Sequence, residues 1–113
     1  MWPQEDQEKV CFQFSAEVCF PDELSKLGVS EGVLKGEQPV HGLRHPSENG
    51  TCGWYLWTGE FSDADDFFQP LHVGHLYEMK HAVVRYLGLP PGWRLLVSDE
   101  YEDIWFDAAL LDI

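Results

Sequence analysis

The stretch Cys52-Gly53-Trp54-Tyr55-Leu56-Trp57 decides the fold of this chain. No charged or amide side chain interrupts it, and Thr51 before it and Thr58-Gly59 after it delimit it. A short apolar run that is rich in aromatic residues and bounded by turn formers is typical of a strand covered on both faces. Side chains alternate along a strand, so Trp54 and Leu56 should share one face. Tyr55 and Trp57 should share the opposite face, which favours a position in the middle of a sheet.

Length and composition indicate one globular domain. The chain has 113 residues, of which 44% are hydrophobic, and its five Trp and seven Phe argue against disorder. We therefore expect a single domain, 1–113, that buries about 65% of its unfolded surface and needs no metal or disulfide to hold it. We also expect no cofactor. No apolar run approaches the ~20 residues of a membrane-spanning helix. The start, Met1 to Asp6, is acidic where a secretory signal is basic and then apolar, so we expect a cytoplasmic protein without membrane contact.

Charge is the strongest global property. Twenty Asp and Glu residues against seven Lys and Arg give a net charge of −13. Contact with phosphates needs a basic surface, so we expect no binding to nucleic acid. The charge favours attraction to a basic partner, because electrostatics raise the encounter rate. Acidity also serves solubility alone, so net charge leaves both interpretations open.

The three cysteines, Cys11, Cys19 and Cys52, are an odd number without metal-type spacing. They are typical of reduced, mostly buried thiols. A Cys11–Cys19 disulfide is the alternative, although a disulfide is unusual in the cytoplasm.

The segment 7–20 fits two structures. Its apolar and polar residues alternate from Val10 to Phe20, which is the pattern of a strand. Gln4 to Lys9 are good helix formers, however, and Val10, Phe14 and Val18 also fit one face of a helix. The choice between helix and strand stays open; we favour a short helix that passes into an extended segment and ends at Pro21-Asp22.

The second half of the chain predicts one principal helix. It should begin near Pro70, a residue tolerated at the first helical position, and end at Gly88 in a left-handed cap. The residues of its apolar stripe fall at helical spacing: Leu71, Leu76, Met79, Val83, Tyr86 and Leu87.

A β-hairpin should follow this helix. Pro91-Gly92 fits a type II turn, and Trp93 to Ser98 and Glu102 to Asp107 form two strands that reverse at Asp99-Glu100-Tyr101. Ala108 to Ile113 should form a closing turn, and Leu24 to Leu34 a short strand and a turn. The predicted fold class is α+β, with a mainly antiparallel sheet, one principal helix packed on a face and a C-terminal β-hairpin.

Three blocks of the sequence resemble a family of small bacterial domains. They are Gly42-Leu43-Arg44-His45-Pro46 continued by Asn49 to Trp57, Phe67-Phe68-Gln69-Pro70-Leu71-His72-Val73, and Tyr86-Leu87-Gly88-Leu89-Pro90-Pro91-Gly92-Trp93-Arg94 continued by Asp99 to Asp107. The chain is similar over 26–113 to the thirty-third predicted class of immunity proteins from polymorphic toxin systems. The resemblance implies an α+β cytoplasmic protein that binds and neutralises a cognate toxin, and it implies no catalytic residues.

The C-terminal hairpin is the candidate partner-binding site. Aromatic anchors ringed by polar groups are typical of interface hot spots, and carboxylates can meet Arg or Lys of a toxin. The plain alternative is a solvated hairpin edge whose charges prevent aggregation. The candidate residues are Asp99, Glu100, Tyr101, Glu102, Asp103, Trp105 and Asp107.

A second acidic stretch runs from Glu60 to Asp66. Its carboxylates, Glu60, Asp63, Asp65 and Asp66, extend the candidate surface or form a solvated loop, and Phe67-Phe68 should tuck under it. They lack the spacing and the closing Glu of a calcium loop.

A small-molecule or metal-binding regulatory domain is the alternative function, with a pocket near Cys52, His45 and His72. His72 and His75 are close enough on a helix to share a ligand, whereas His81 lies on the opposite side. His75 should be a hydrogen-bonded residue at the edge of the core. A stand-alone structural domain is a third possibility.

An enzyme has no positive support in the sequence. Cys52 lies inside an apolar strand, without the environment that lowers a thiol pKa, and no phosphate loop, dinucleotide motif or serine elbow is present. Arg44 and Arg94 are rare cations that should each pair with carboxylates.

Overall fold

Residues 3–112, the part of the chain that the computed structural model describes, contain six strands and three α-helices. The strands are β1 (Lys26–Val29), β2 (Val40–Arg44), β3 (Thr51–Trp57), β4 (Gln69–His72), β5 (Trp93–Val97) and β6 (Glu102–Phe106). The α-helices are α1 (Gln4–Gln13), α2 (Glu31–Leu34) and α3 (Val73–Glu78), and 3₁₀ helices span Ala82–Tyr86 and Ala108–Leu111. Met1 and Trp2 of the acidic start, and Ile113 of the predicted closing turn, lie outside the described residues.

The strands form one sheet in the order β4-β1-β3-β2-β5-β6. Only β1 and β3 are parallel among the described strand pairs; the other neighbours are antiparallel. This arrangement confirms the α+β class and the mainly antiparallel sheet. The predicted C-terminal hairpin is also confirmed, with Leu95 opposite Ile104, and Gly92 takes the left-handed φ of 98° that its turn needs.

Strand β3 lies in the interior of the sheet, as its sequence predicts. Trp54 and Leu56 are fully buried on one face, whereas on the other face Trp57 is buried and Tyr55 is half-buried. Gly53 interrupts the regular strand with a φ of 93°. A Cβ at this position would lie 1.8 Å from the carbonyl oxygen of His45, so only glycine allows β2 to approach here.

The N-terminal segment follows the favoured interpretation, a helix that passes into an extended chain. Helix α1 ends at Gln13, and no regular element follows until β1. The buried amide of Gln7 donates to the Tyr77 hydroxyl at 3.1 Å and to the Val84 carbonyl at 2.9 Å. These bonds fix α1 on the helical layer. The cysteines are free thiols, with Cys11 and Cys52 buried as predicted.

The prediction that the principal helix runs from Pro70 to Gly88 is wrong. Gln69–His72 is strand β4, which pairs with β1, and the helix α3 covers only Val73–Glu78. Pro70 suits the edge strand because that position needs no N–H. Lys80, at a φ of 54°, then turns the chain into the 3₁₀ helix Ala82–Tyr86. The longest described helix is instead α1, with ten residues.

The apolar stripe nevertheless marks buried positions. Leu76, Val83 and Leu87 lie in the core, whereas Met79 is exposed. Gly88 is not a left-handed cap, since its φ is not positive. A Cβ on Gly88 would approach the Cβ of Gln7 to 2.9 Å. The glycine therefore serves the close packing of α1 against the chain that follows the 3₁₀ helix.

Leu24 to Leu34, predicted as a strand and a turn, forms β1 and then the single-turn helix α2.

Candidate partner-binding surface

The register of the strands assigns each side chain to one of the two faces of the sheet. Residues directly opposite each other on neighbouring strands share a face. Gly42, opposite Leu56 and Leu95, belongs to a face on which all three residues are buried. The helical layer covers this face, because the Nε1–H of Trp54 donates to the Leu87 carbonyl at 2.9 Å.

The opposite side of the sheet, which we call the open face, is partly accessible to solvent. It consists of two cross-strand rows over β3, β2, β5 and β6. The first row is Trp57, His41, Leu96 and Asp103, and the second is Tyr55, Leu43, Arg94 and Trp105. Trp57 is buried, Asp103 and Trp105 are exposed, and the residues between are half-buried. Apolar side chains are therefore accessible in the middle of a sheet.

The hairpin residues predicted as partner-binding divide between the two faces. Asp103 and Trp105 lie on the open face, whereas Glu102 lies on the helical side. There Glu102 accepts a hydrogen bond from the Tyr86 hydroxyl at 2.6 Å and one from the Gln13 amide at 3.4 Å. The tip residues are exposed: Asp99, Glu100 and Tyr101. The acidic residues of the hairpin are therefore neighbours along the chain, but they do not share one face of the sheet.

Arg94 organises the second row of the open face. Its guanidinium donates to Asp107 at 3.2 Å, which confirms the predicted carboxylate pair. The guanidinium carbon also lies 5.7 Å from the centre of the Trp105 ring. A cation over an aromatic face is attracted by the ring quadrupole, so Arg94 holds Trp105 in place.

The acidic loop between β3 and β4 lies beside the open face. The ring of Phe61 packs edge-on against Trp57 at 5.4 Å, and Phe68 contacts Tyr55 at 5.2 Å. Phe67 and Phe68 are half-buried beneath the loop, as predicted. The carboxylates are exposed: Glu60, Asp63, Asp65 and Asp66. Phe61 of the loop and Trp57 of β3 therefore form an aromatic wall at the β3 side of the open face, on a loop that exposes its carboxylates to solvent.

His41 is the centre of the first row. Its ring stacks on Trp57 with 5.2 Å between centroids and 7° between planes. Burial, and to a lesser degree the charge of Arg94, lower the pKa of His41. The neutral imidazole is therefore favoured, and the middle of the open face gains no positive charge near neutral pH.

Arg44 does not form the predicted carboxylate pair. It is 2% exposed and belongs to the covered face, where its Nε–H donates to the Cys52 carbonyl at 3.0 Å. Its Nη1 donates to the carbonyl oxygens of Cys19, Leu87 and Leu89. The cation therefore holds backbone segments together instead of contributing to a surface.

The three residues of the alternative pocket do not line one cavity. His45 contacts Tyr55, and its Nδ1 lies 3.1 Å from the Leu110 carbonyl oxygen. Its cavity is lined by residues of the β2–β3 turn and by neither Cys52 nor His72. Cys52 is buried, which raises its thiol pKa, and His72 is exposed on β4. Within residues 3–112, no three His, Cys, Asp or Glu side chains are grouped to hold a metal ion.

The remaining histidines occupy separate positions. His75 is exposed on α3, so its predicted place at the edge of the core is wrong. His81 caps the 3₁₀ helix Ala82–Tyr86, since its Nδ1 accepts from the Val83 N–H at 3.1 Å, and its Nε2 lies 3.2 Å from the Val33 carbonyl oxygen. Burial lowers the pKa of His81.

Sequence reasoning missed His41, Leu43, Leu96 and Phe61 as surface residues. For His41, Leu43 and Leu96, the one signal in the sequence was the alternation of side chains along a strand. Each of them has a small or buried residue beside it. Alternation alone does not say which face is covered. None of the helices among residues 3–112 is both long and apolar enough to cross a membrane.

The model of the Imm33-like domain family matches residues 6–107, which extends the expected similarity towards the N-terminus and includes α1. No curated protein and no solved structure gave a significant match.

Proposed function

Because this chain belongs to the Imm33-like family, an immunity-protein family, we propose that it binds a toxin protein in the bacterial cytoplasm and thereby neutralises it. The family match carries this proposal, since it spans residues 6–107 and so includes every strand of the sheet. The partner is a protein, and neutralisation follows from occupancy of the toxin and needs no chemical reaction by this chain.

The burial of Cys52 and Tyr77 supports a binding role without catalysis. Cys52 lies in the core, and burial raises the pKa of its thiol, so the reactive thiolate is disfavoured. Tyr77 is also buried, with a pKa raised above its ordinary value. Neither group has the lowered pKa of an activated nucleophile.

Charge supports a basic toxin as the partner. The hairpin tip and the β3–β4 loop carry exposed carboxylates, and the whole chain has a net charge of −13. Complementary charge accelerates encounter, and salt screens it. We therefore expect association with the toxin to slow as the ionic strength rises.

A growth assay tests the proposed function. The candidate toxin is a toxic C-terminal domain sought in the gene next to the one that encodes this chain, and it is expressed in a bacterium with and without this chain. We expect the domain alone to stop growth and coexpression to restore it, with a complex that survives purification. Growth arrest in the presence of the chain, or purified proteins that do not associate in calorimetry, would show that the proposal is wrong.

Two triple variants separate local charge from net charge. The first neutralises the hairpin with Asp99→Asn, Glu100→Gln and Asp103→Asn. The second neutralises exposed carboxylates elsewhere with Glu8→Gln, Glu17→Gln and Glu78→Gln, so both change the net charge by the same amount. We expect the first to slow association about 10-fold at low salt and the second to change it little. Equal effects would mean that the hairpin is not the site of contact.

A further inference from the structure

The open face has two features that are uncommon on a surface without a binding partner: an accessible apolar floor and aromatic residues on either side of it. His41, Leu43 and Leu96 form a half-buried floor over β2 and β5. On one side of this floor, Trp57 and Phe61 form the aromatic wall. Trp105 lies on the other side of the floor, where it is 38% exposed and held by Arg94. Contiguous accessible apolar surface with aromatic anchors is typical of a docking site for another protein.

Exposed carboxylates border this floor. Asp103, the last residue of the first row, lies on the open face itself. The loop that supplies Phe61 to the aromatic wall also exposes the carboxylates of Glu60, Asp63, Asp65 and Asp66. The cation of the floor, Arg94, is already paired with Asp107. Negative charge therefore borders the floor at Asp103 and on the loop that carries Phe61.

The distance between the aromatic wall and Asp103 limits the size of the occupant. Trp57 and Asp103 are separated by three strand-to-strand steps, from β3 through β2 and β5 to β6. Neighbouring strands lie about 4.8 Å apart, so the floor is about 14 Å wide. An α-helix with its side chains is about 10–12 Å across, so the floor admits one helix and not two.

We propose that the toxin lays one positively charged segment, apolar on its inner side, across the open face of the sheet between the aromatic wall and Asp103. This inference rests on the proposed function and names the surface and the kind of partner segment. It assigns His41, Leu43, Leu96 and Trp105 to the contact, together with Asp103. Glu102 and Asp107 instead support the hairpin, through Tyr86 and Arg94.

Neighbouring aromatic residues on β6 provide a matched test. Trp105 lies on the open face and Phe106 on the helical side, and the two side chains are 38% and 50% exposed. The probe is the toxin domain of the growth assay, titrated into this chain in a calorimeter. We expect Trp105→Ala to weaken binding about 30-fold or more, as for an interface anchor, and Phe106→Ala to change it less than 3-fold. Circular dichroism melting controls for folding of both variants.

A charge reversal provides the second test. Asp103→Lys places a cation on the open face, whereas Glu78→Lys makes the same change on the exposed surface of α3. We expect Asp103→Lys to weaken binding about 10-fold at low salt, with a smaller effect at high salt. Glu78→Lys should leave binding within about 2-fold, since it lies outside the open face.

The outcomes distinguish this inference from the function on which it rests. If the wild-type chain does not protect against the toxin, both the proposed function and the proposed docking surface are wrong. If wild type protects, while Trp105→Ala and Asp103→Lys bind as tightly as their matched controls, the function stands and the open face is not the docking surface. Protection by wild type with selective loss in these two variants supports both.

Discussion

The guanidinium of Arg44 lies 5.7 Å from the centre of the Trp54 ring, and both side chains donate to the carbonyl oxygen of Leu87. The pair lies beneath the sheet, with Arg44 2% exposed and Trp54 fully buried. A buried cation is costly unless hydrogen bonds replace its water. Carbonyl oxygens of Cys19, Leu87 and Leu89 do so here, and Arg44 thereby joins the N-terminal segment to the chain that follows the helical layer.

Replacement of Arg44 should destabilise the fold. Arg44→Met removes the donor to the carbonyl oxygens of Cys19 and Leu89, so we expect the free energy of unfolding to fall by about 3 kcal/mol or more. Arg94→Met is the matched control, because Arg94 forms a partly exposed pair with Asp107 and should lose about 1 kcal/mol or less. Urea denaturation of both variants checks the difference. Equal losses would contradict the structural role of Arg44.

Two glycines with left-handed φ should differ sharply on replacement by alanine. At Gly53 a Cβ would meet the His45 carbonyl oxygen at 1.8 Å, whereas at Gly50 no atom lies within 4 Å. For Gly50→Ala we expect the free energy of unfolding to fall by about 1–2 kcal/mol, because alanine is strained at the φ of 81°. We expect Gly53→Ala to lose more than about 4 kcal/mol, or to fail to fold, because β2 and β3 must separate. Urea midpoints, or soluble yield where folding fails, measure the gap; similar values would refute it.

The Tyr86 hydroxyl should ionise at a higher pH than an ordinary tyrosine. Burial, then the hydrogen bond to Glu102 and its negative charge, raise the pKa of Tyr86 to about 12. A folded-state pKa above the unfolded value near 10 means that this contribution to stability is intact below about pH 10. It is lost as the pH rises from there towards 12. Ultraviolet titration should show late tyrosinate ionisation, to which Tyr77, whose pKa is also raised by burial, contributes as well. Tyr86→Phe should reduce its amplitude and Tyr101→Phe should not; an undiminished late phase in Tyr86→Phe would contradict the prediction.

His81 should make stability fall on acidification. Burial lowers its pKa in the folded state, whereas the unfolded side chain titrates near 6.5. The unfolded state therefore binds the proton more readily, and this contribution is present above about pH 6.5 and is lost as the pH falls through the folded-state pKa. Protonation would also turn the Nδ1 that accepts from Val83 into a donor. Unfolding of wild type and His81→Asn between pH 7 and pH 5 should show a flatter profile for the variant; parallel profiles would contradict this origin.

Local patterns in the sequence determined much of this fold. β3 was predictable because an apolar, aromatic run between turn formers has few other structures available. The hairpin β5–β6 was predictable because Pro91-Gly92 and the acidic turn at 99–101 act over a few residues. The carboxylates of the hairpin and the loop were equally evident in the sequence.

Only the tertiary structure decided the helix and the open face. The stripe from Leu71 to Leu87 has helical spacing, but pairing of Gln69–His72 with β1 and the left-handed Lys80 divide it, because long-range contacts outweigh a weak local propensity. Strand register likewise decides that Leu95 is buried while Leu96 is accessible. A shift of one residue would exchange their faces, so the sequence of β5 by itself determined a strand, and only its pairing with β2 and β6 determined which side chains remain for a partner.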